Sequence, residues 1–199
     1  MKRNCKFMLL LCALMQVVWA KAQVEVLQPG DLLFYKDTTG MGAAVRESTG
    51  EYTHVALVEA VGDTVWIIDA TRRYGVSRRP LVGESGDARG VADVYRLAVA
   101  FDTAAVLRCA RSAVGLPYDE AFLPGNGAYY CSELVCDCYG GLFATQPMRW
   151  RAADGSMPRY WEEHFKRIGK EVPEGVEGSN PTDLSRSPLL RRVVGCLSD

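Results

Sequence analysis

Ala128-Tyr129-Tyr130-Cys131-Ser132-Glu133-Leu134-Val135-Cys136 is the stretch around which the rest of the chain is organised. A turn-forming segment, Pro-Gly-Asn-Gly at 124–127, precedes it, and apolar residues then recur at helical spacing until Gly140-Gly141. The pattern predicts a buried helix with Cys131 in its first turn. Because a helix N-terminus presents unpaired backbone N–H groups and a partial positive charge, a thiol there ionises readily into a nucleophile. The structural alternative is a small buried residue at the start of a core helix.

The length and the charge of the chain limit what the protein can be. It has 199 residues, enough for one domain with a sizeable core, and a formal net charge of −1. This balance provides no overall basic field of the kind that attracts nucleic acid. We therefore expect a single domain over residues 23–199 and no nucleic-acid partner.

The first 22 residues have the pattern of a secretory signal peptide. Three basic residues within the first six positions precede an apolar run at 7–19, and Ala20-Lys21-Ala22 matches the A-x-A cleavage pattern. We expect cleavage after Ala22 and a periplasmic or extracellular mature protein of the bacterial cell envelope. Beyond this leader, no stretch is apolar and long enough to predict a transmembrane segment.

Five cysteines remain after such a cleavage, so at least one has no intramolecular disulfide partner. Whether the others pair is left open by their spacing. The cluster at positions 131, 136 and 138 lacks the C-x-x-C pairs of a zinc site, and their absence also argues against a thiol-redox protein. We expect no metal and no cofactor.

Short apolar segments between residues 32 and 97 predict a mostly antiparallel sheet. The segments 52–60 and 65–70 flank the turn Gly62-Asp63-Thr64 and read as a hairpin. Further strands are expected at 32–35, 76–81, 91–97 and 189–194, and helices from Asp102, Cys131, Pro158 and Pro181. Strands followed by helices in this order predict an α+β fold, with the cysteine helix packed on the His54 face of the sheet.

Only two histidines exist as candidates for a catalytic base. His54 opens an otherwise apolar strand, and Asp69 ends the partner strand, so the hairpin turn places both at the same end. Since a buried carboxylate without a partner is costly, we expect Asp69 to orient the imidazole. A core histidine bonded to backbone is the alternative for His54. His164 lies in a polar helical stretch, where we expect it to be solvated.

The order of these motifs resembles that of the YiiX-like permuted papain-fold cysteine amidases, relatives of the NlpC-type cell-wall endopeptidases. The resemblance covers residues 29–142 and 179–184. The motifs are Gly30-Asp31-Leu32-Leu33-Phe34, Tyr52-Thr53-His54, Ile68-Asp69-Ala70, Leu116-Pro117-Tyr118-Asp119 and Tyr130-Cys131-Ser132-Glu133-Leu134-Val135. The resemblance implies a permuted papain-like fold in which the histidine precedes the cysteine. Cys131 would match the nucleophile, His54 the base and Asp69 the third polar residue, where the pattern has a Glu.

By this resemblance the protein is a cysteine hydrolase that cleaves an amide or ester bond through an acyl-enzyme on Cys131. A cell-wall peptide and an N-acyl or lipid amide are both compatible substrates. The backbone N–H of Cys131 is expected in the oxyanion hole, with Tyr130 and Tyr35 as further candidates for that role or for substrate contact. The alternative function is a non-catalytic ligand- or envelope-binding protein whose cysteine is oxidised or idle.

Overall fold

A six-stranded antiparallel sheet forms the centre of the protein. The computed structural model describes residues 27–81 and 92–197, so the expected leader and its cleavage site lie outside it. The elements are β1 (Leu32–Tyr35), α1 (Gly40–Thr49), β2 (His54–Ala60), β3 (Trp66–Thr71), β4 (Gly75–Pro80), β5 (Ala92–Leu97), α2 (Thr103–Ala113), α3 (Cys131–Cys138), β6 (Gln146–Pro147), α4 (Arg159–Ile168), β7 (Glu177–Gly178), α5 (Pro181–Ser185) and β8 (Leu190–Leu197). In space the strands run β4-β3-β2-β1-β5-β8, and β6 pairs with β7 separately. The predicted α+β class with an antiparallel sheet is confirmed.

Both faces of the central strands are buried, which explains their nearly continuous apolar sequence. On one face, Val55, Leu57 and Ile68 pack against α2 and α3. On the other face, alternate residues of the same strands, Ala56 and Val58, pack with a second apolar cluster. The expectation that the cysteine helix packs on the His54 face is therefore wrong: α3 lies on the Val55 face, and strand alternation assigns His54 to the opposite one. His54 is the first residue of β2, and at this end of the strand it lines the same cavity as Cys131. Within the described ranges, no helix is both long and apolar enough to cross a membrane.

Helix α3 begins at Cys131, as the sequence pattern predicts. Tyr130 precedes it with an extended backbone, and the Glu133 carboxylate accepts a hydrogen bond from the Tyr130 N–H at 3.4 Å. The buried Leu134 and Val135 side chains fasten the first turns of the helix to the core. These contacts fix the position of the α3 N-terminus relative to the sheet.

A disulfide joins Cys109 of α2 to Cys138 at the end of α3. Cys131 and Cys136 both lie outside this bond. The bridge links the C-terminal end of the cysteine helix to its neighbour and leaves the thiol at the N-terminal end unmodified.

Removing this disulfide is expected to destabilise the fold and to spare the site. In Cys109→Ala/Cys138→Ala, the free energy of unfolding should fall by about 3 kcal/mol, because the crosslink closes a 29-residue separation in the unfolded chain. Denaturant titration with and without reductant measures the effect. A wild-type midpoint that reductant does not move would contradict it.

The environment of His164 corrects the expectation that it is solvated. Its side chain is 2% exposed, its Nε2 lies 2.7 Å from the Glu120 carbonyl oxygen, and burial lowers its pKa. The reason is helical spacing: residue 164 falls on the same face as the buried Trp161 and Phe165. That face packs against Phe122 and closes one wall of the cavity described next.

Candidate active site

Cys131 and His54 line the same cavity, which has a volume of about 400 Å³. Cys131 is the first residue of α3 and is 7% exposed. The N–H groups of a first helical turn have no partners within the helix, so they and the helix dipole favour negative charge there. The thiol thus lies where its ionised form is supported.

His54 is oriented by Asp69 across the hairpin. Its Nε2 lies 2.8 Å from Asp69 Oδ2, and the Asp69 side chain is completely buried. The Asp, although one methylene shorter than Glu, therefore reaches the ring. Since Nε2 is bound to the carboxylate, proton transfer between this ring and a thiol would use Nδ1.

Asp69 has a second partner that sequence reasoning missed, Arg79 of β4. The Arg79 Nη2 lies 2.8 Å from Asp69 Oδ2, and its Nε lies 3.2 Å from Oδ1, so the guanidinium binds both oxygens. Arg79 stands opposite Ile67 in the strand register, one diagonal step from Asp69 on the same face. Strand alternation in β4 indicates which of its residues share a face. Only the pairing register between β3 and β4 shows that Arg79 is the one beside Asp69.

Tyr118 is another cavity residue that the sequence presents only as part of a motif. A short parallel bridge between Tyr118 and Tyr129 holds it beside the chain that leads into α3. Burial, and then the charge of the Cys131 thiolate, raise the pKa of Tyr118 well above its usual range. The phenol therefore keeps its proton and is a hydrogen-bond donor at neutral pH.

The two tyrosines predicted to contribute to the oxyanion hole or to substrate contact lie in different places. Tyr130 lines the cavity, but its hydroxyl oxygen already accepts a hydrogen bond from the Ser179 N–H at 3.1 Å. Tyr35 is not among the cavity residues; its ring lies 5.7 Å from the His54 ring. The structure thus brings Tyr130 to the cavity wall and places Tyr35 behind the histidine.

The cavity wall combines a large apolar surface with positive charge. Its apolar side chains come from α1, α4 and the loops between the elements: Met41, Val45, Phe122, Met148, Trp150 and Trp161. Three guanidinium groups and one carboxylate also line it. Arg72 is bound to Glu120 and Arg149 to Asp183, both within 2.9 Å, whereas Arg73 forms no ion pair among the described residues. An anionic group bound at this wall would lie close to the positive charge of Arg73.

A family model for the permuted papain-like amidase enzymes, the YaeF/YiiX or C92 family, matches residues 26–194. The chain belongs to this family. Its sequence is 25% identical over 187 residues to the uncharacterized protein YiiX of Escherichia coli strain K12, which covers 84% of this chain and 86% of that protein. The crystal structure of the protein described as metalloprotein YiiX from Escherichia coli O157:H7 matches with a TM-score of 0.68 at 22% identity. That match covers 84% of this chain and 96% of the other, and it shows the shared fold.

Membership of the YaeF/YiiX family agrees with the order of the elements. The strand that bears His54 precedes the helix that begins at Cys131, as a permuted papain-like arrangement requires. The family supports a cysteine hydrolase-type function for this chain.

The donor groups of this YaeF/YiiX-family protein do not fit a metal centre. Over residues 27–81 and 92–197, no three His, Cys, Asp or Glu side chains are grouped to hold an ion. Asp69 is already bound to His54 and Arg79, and Cys138 is in the disulfide. The chemistry derived below therefore uses no metal.

Proposed function

We propose that this protein is a cysteine amidase that cleaves an N-acyl amide through an acyl-enzyme on Cys131. The observation that carries the proposal is the 2.8 Å contact between His54 Nε2 and Asp69 Oδ2 in a cavity that also contains Cys131. A nucleophile, a base and a group that orients the base are the three parts that covalent amide cleavage needs. Export, expected from the leader sequence, would place the reaction outside the cytoplasm.

The reaction proceeds in two stages. The Cys131 thiol passes its proton to His54 Nδ1, and the thiolate attacks the amide carbonyl carbon. The C–N bond breaks as the imidazolium gives its proton to the leaving amine, which leaves a thioester. Water then attacks the thioester with His54 as base, the carboxylic acid departs, and the thiol takes back its proton. Asp69 holds the ring in one orientation throughout and stabilises the imidazolium.

The oxyanion of each tetrahedral intermediate is stabilised by the backbone N–H of Cys131 and by the Tyr118 hydroxyl. Tyr118 lines the cavity, and its phenol, whose pKa is raised by burial, is protonated at neutral pH and able to donate. Tyr118 replaces Tyr130 in this role, because the Tyr130 hydroxyl already donates to the Met148 sulfur at 4.0 Å while accepting from the Ser179 N–H.

The cavity wall favours an acylated small molecule over a cell-wall peptide as substrate. Aromatic and methionine side chains provide an adaptable apolar surface for an acyl chain. A peptidoglycan peptide, rich in charged and small groups, would leave that surface unfilled. Arg73 supplies positive charge for an acid on the other side of the scissile bond. An N-acyl amino acid has both features.

A substrate panel with mass-spectrometric detection of the acyl-enzyme tests the proposal. The panel holds N-acyl amino acids of increasing chain length, their C-terminal carboxamides, and a muropeptide. We expect an adduct of acyl mass on Cys131, and kcat/KM that rises by up to about fourfold per methylene until the cavity is filled. The kcat/KM of the carboxylates should exceed that of the carboxamides by about tenfold. Arg73→Gln should abolish this preference and leave kcat/KM of the carboxamides unchanged.

Other outcomes of the panel are equally informative. If a muropeptide is turned over faster than every acyl compound, the substrate is a cell-wall peptide. No adduct on Cys131 with any member, in a folded protein whose thiol is reduced, would overturn the amidase proposal.

A further inference from the structure

Arg79 binds the buried carboxylate that faces His54. Asp69 is completely buried, and its Oδ2 receives both His54 Nε2 and Arg79 Nη2 at 2.8 Å. A neutral imidazole gives this carboxylate a hydrogen bond but no counter-charge. Since an isolated buried carboxylate is strongly disfavoured, Arg79 keeps Asp69 ionised whether or not His54 carries a proton.

We propose that Arg79 is a positioning residue that sets the pH range of the site as well as its geometry. The inference rests on the proposed roles of Cys131, His54 and Asp69. The guanidinium fork holds both Asp69 oxygens and so aims Oδ2 at the ring. Its permanent charge also offsets part of the Asp69 charge, so the imidazolium is held less tightly than by Asp69 alone. His54 can then release its proton to the leaving amine.

The effect of Arg79 on His54 can be distinguished from that of the other charged groups around the ring. Asp69 and Arg79 approach it from β3 and β4, and the Tyr35 ring packs beside it from β1. Among the described residues, the cavity wall that His54 shares contributes further titratable and charged groups: Cys131 of α3, Asp37, Arg72, Arg73, Tyr118, Tyr130 and Arg149. Arg72 shares Glu120 with Arg167, and Arg149 shares Asp183 with Arg186, so each carboxylate balances only part of the positive charge beside it. These ion pairs are unchanged in the Arg79 variants, so they do not contribute to a shift between the profiles.

Neighbouring Arg78 provides a matched control. It lies on the same strand but alternates to the other face, where it binds the buried Glu59 carboxylate at 3.0 Å. Replacing either arginine by glutamine removes a cation from a buried carboxylate, although Glu59 keeps a second cation, Arg111. Of these two arginines, Arg79 is the one that contacts the carboxylate bound to His54.

The test is the pH dependence of Cys131 alkylation by iodoacetamide, followed by mass spectrometry of the Cys131 peptide, which needs no substrate. Removal of a positive charge makes nearby groups hold their protons more tightly. In Arg79→Gln both limbs of the profile should therefore move to higher pH, by about one pH unit. Arg79→Lys keeps the charge and should retain the wild-type profile. With a substrate from the panel, kcat should fall about tenfold in both variants, because the fork is lost, with KM little changed.

The profile decides the inference independently of amidase activity. Arg79→Gln and wild type with superimposable profiles would overturn it, as would an equal shift in Arg78→Gln. If Arg79→Gln does not fold, Arg79→Lys remains decisive, since a displaced profile in that variant would contradict the role of the charge. Failure of the amidase proposal would appear instead as a missing acyl adduct with the alkylation profiles intact.

Discussion

Cys131→Ala is expected to abolish turnover of any substrate, by at least about ten-thousand-fold, while the protein stays folded. The proposed acyl-enzyme forms on this thiol, and the neighbouring Ser132 hydroxyl, which also lines the cavity, is a much weaker nucleophile and should not replace it. The structural cost should be small, about 1 kcal/mol or less, because alanine fills most of the space of a cysteine. Turnover, circular dichroism and the loss of the acyl adduct are the measurements.

Cys136→Ser is the control for this variant. Cys136 belongs to the same helix, but burial raises the pKa of its thiol, so it is poorly suited to act as a thiolate. It lines a second cavity, whose wall does not include Cys131 or His54. Turnover should stay within about twofold of wild type. A comparable loss in Cys136→Ser, with the fold intact, would show that the nucleophile has been assigned to the wrong cysteine.

Asp69→Asn should retain the fold and lower turnover on the order of a hundredfold. An amide at this position still reaches His54 Nε2, but it favours the wrong imidazole tautomer and supplies no charge to the imidazolium. In serine proteases the equivalent change lowers turnover by about ten-thousand-fold. The loss should be smaller here, because a thiol is more acidic than a hydroxyl and is more easily ionised without full help from the base.

Glu59→Gln separates this effect from general destabilisation. Glu59 is as deeply buried as Asp69, and its carboxylate is bound by Arg78 and Arg111. Its loss should lower the thermal midpoint at least as much as Asp69→Asn and leave turnover per folded molecule unchanged. Near-normal turnover in Asp69→Asn together with loss in Glu59→Gln would transfer the orienting role to Glu59.

The hairpin and the start of the cysteine helix were accessible from sequence because both depend on local signals. The short turn after β2 sets which ends of the two strands meet, so His54 and Asp69 could be placed together before any tertiary contact was known. Turn residues followed by apolar spacing likewise placed Cys131 at a helix N-terminus. The set of motifs in this order, with His54 before Cys131, was enough to indicate the permuted family.

The remaining parts of the site required the three-dimensional structure. Tyr118 reaches the cavity through a bridge to Tyr129, and Arg79 reaches Asp69 through the β3–β4 register. The pairing of Cys109 with Cys138 depends on the packing of two helices, which places their Cα atoms 5.2 Å apart. Sequence thus determined the hairpin, the cysteine helix and their order, which arise from neighbours along the chain. Tertiary packing decided which tyrosine, arginine and cysteines join them, because those contacts depend on distances between segments that local periodicity does not encode.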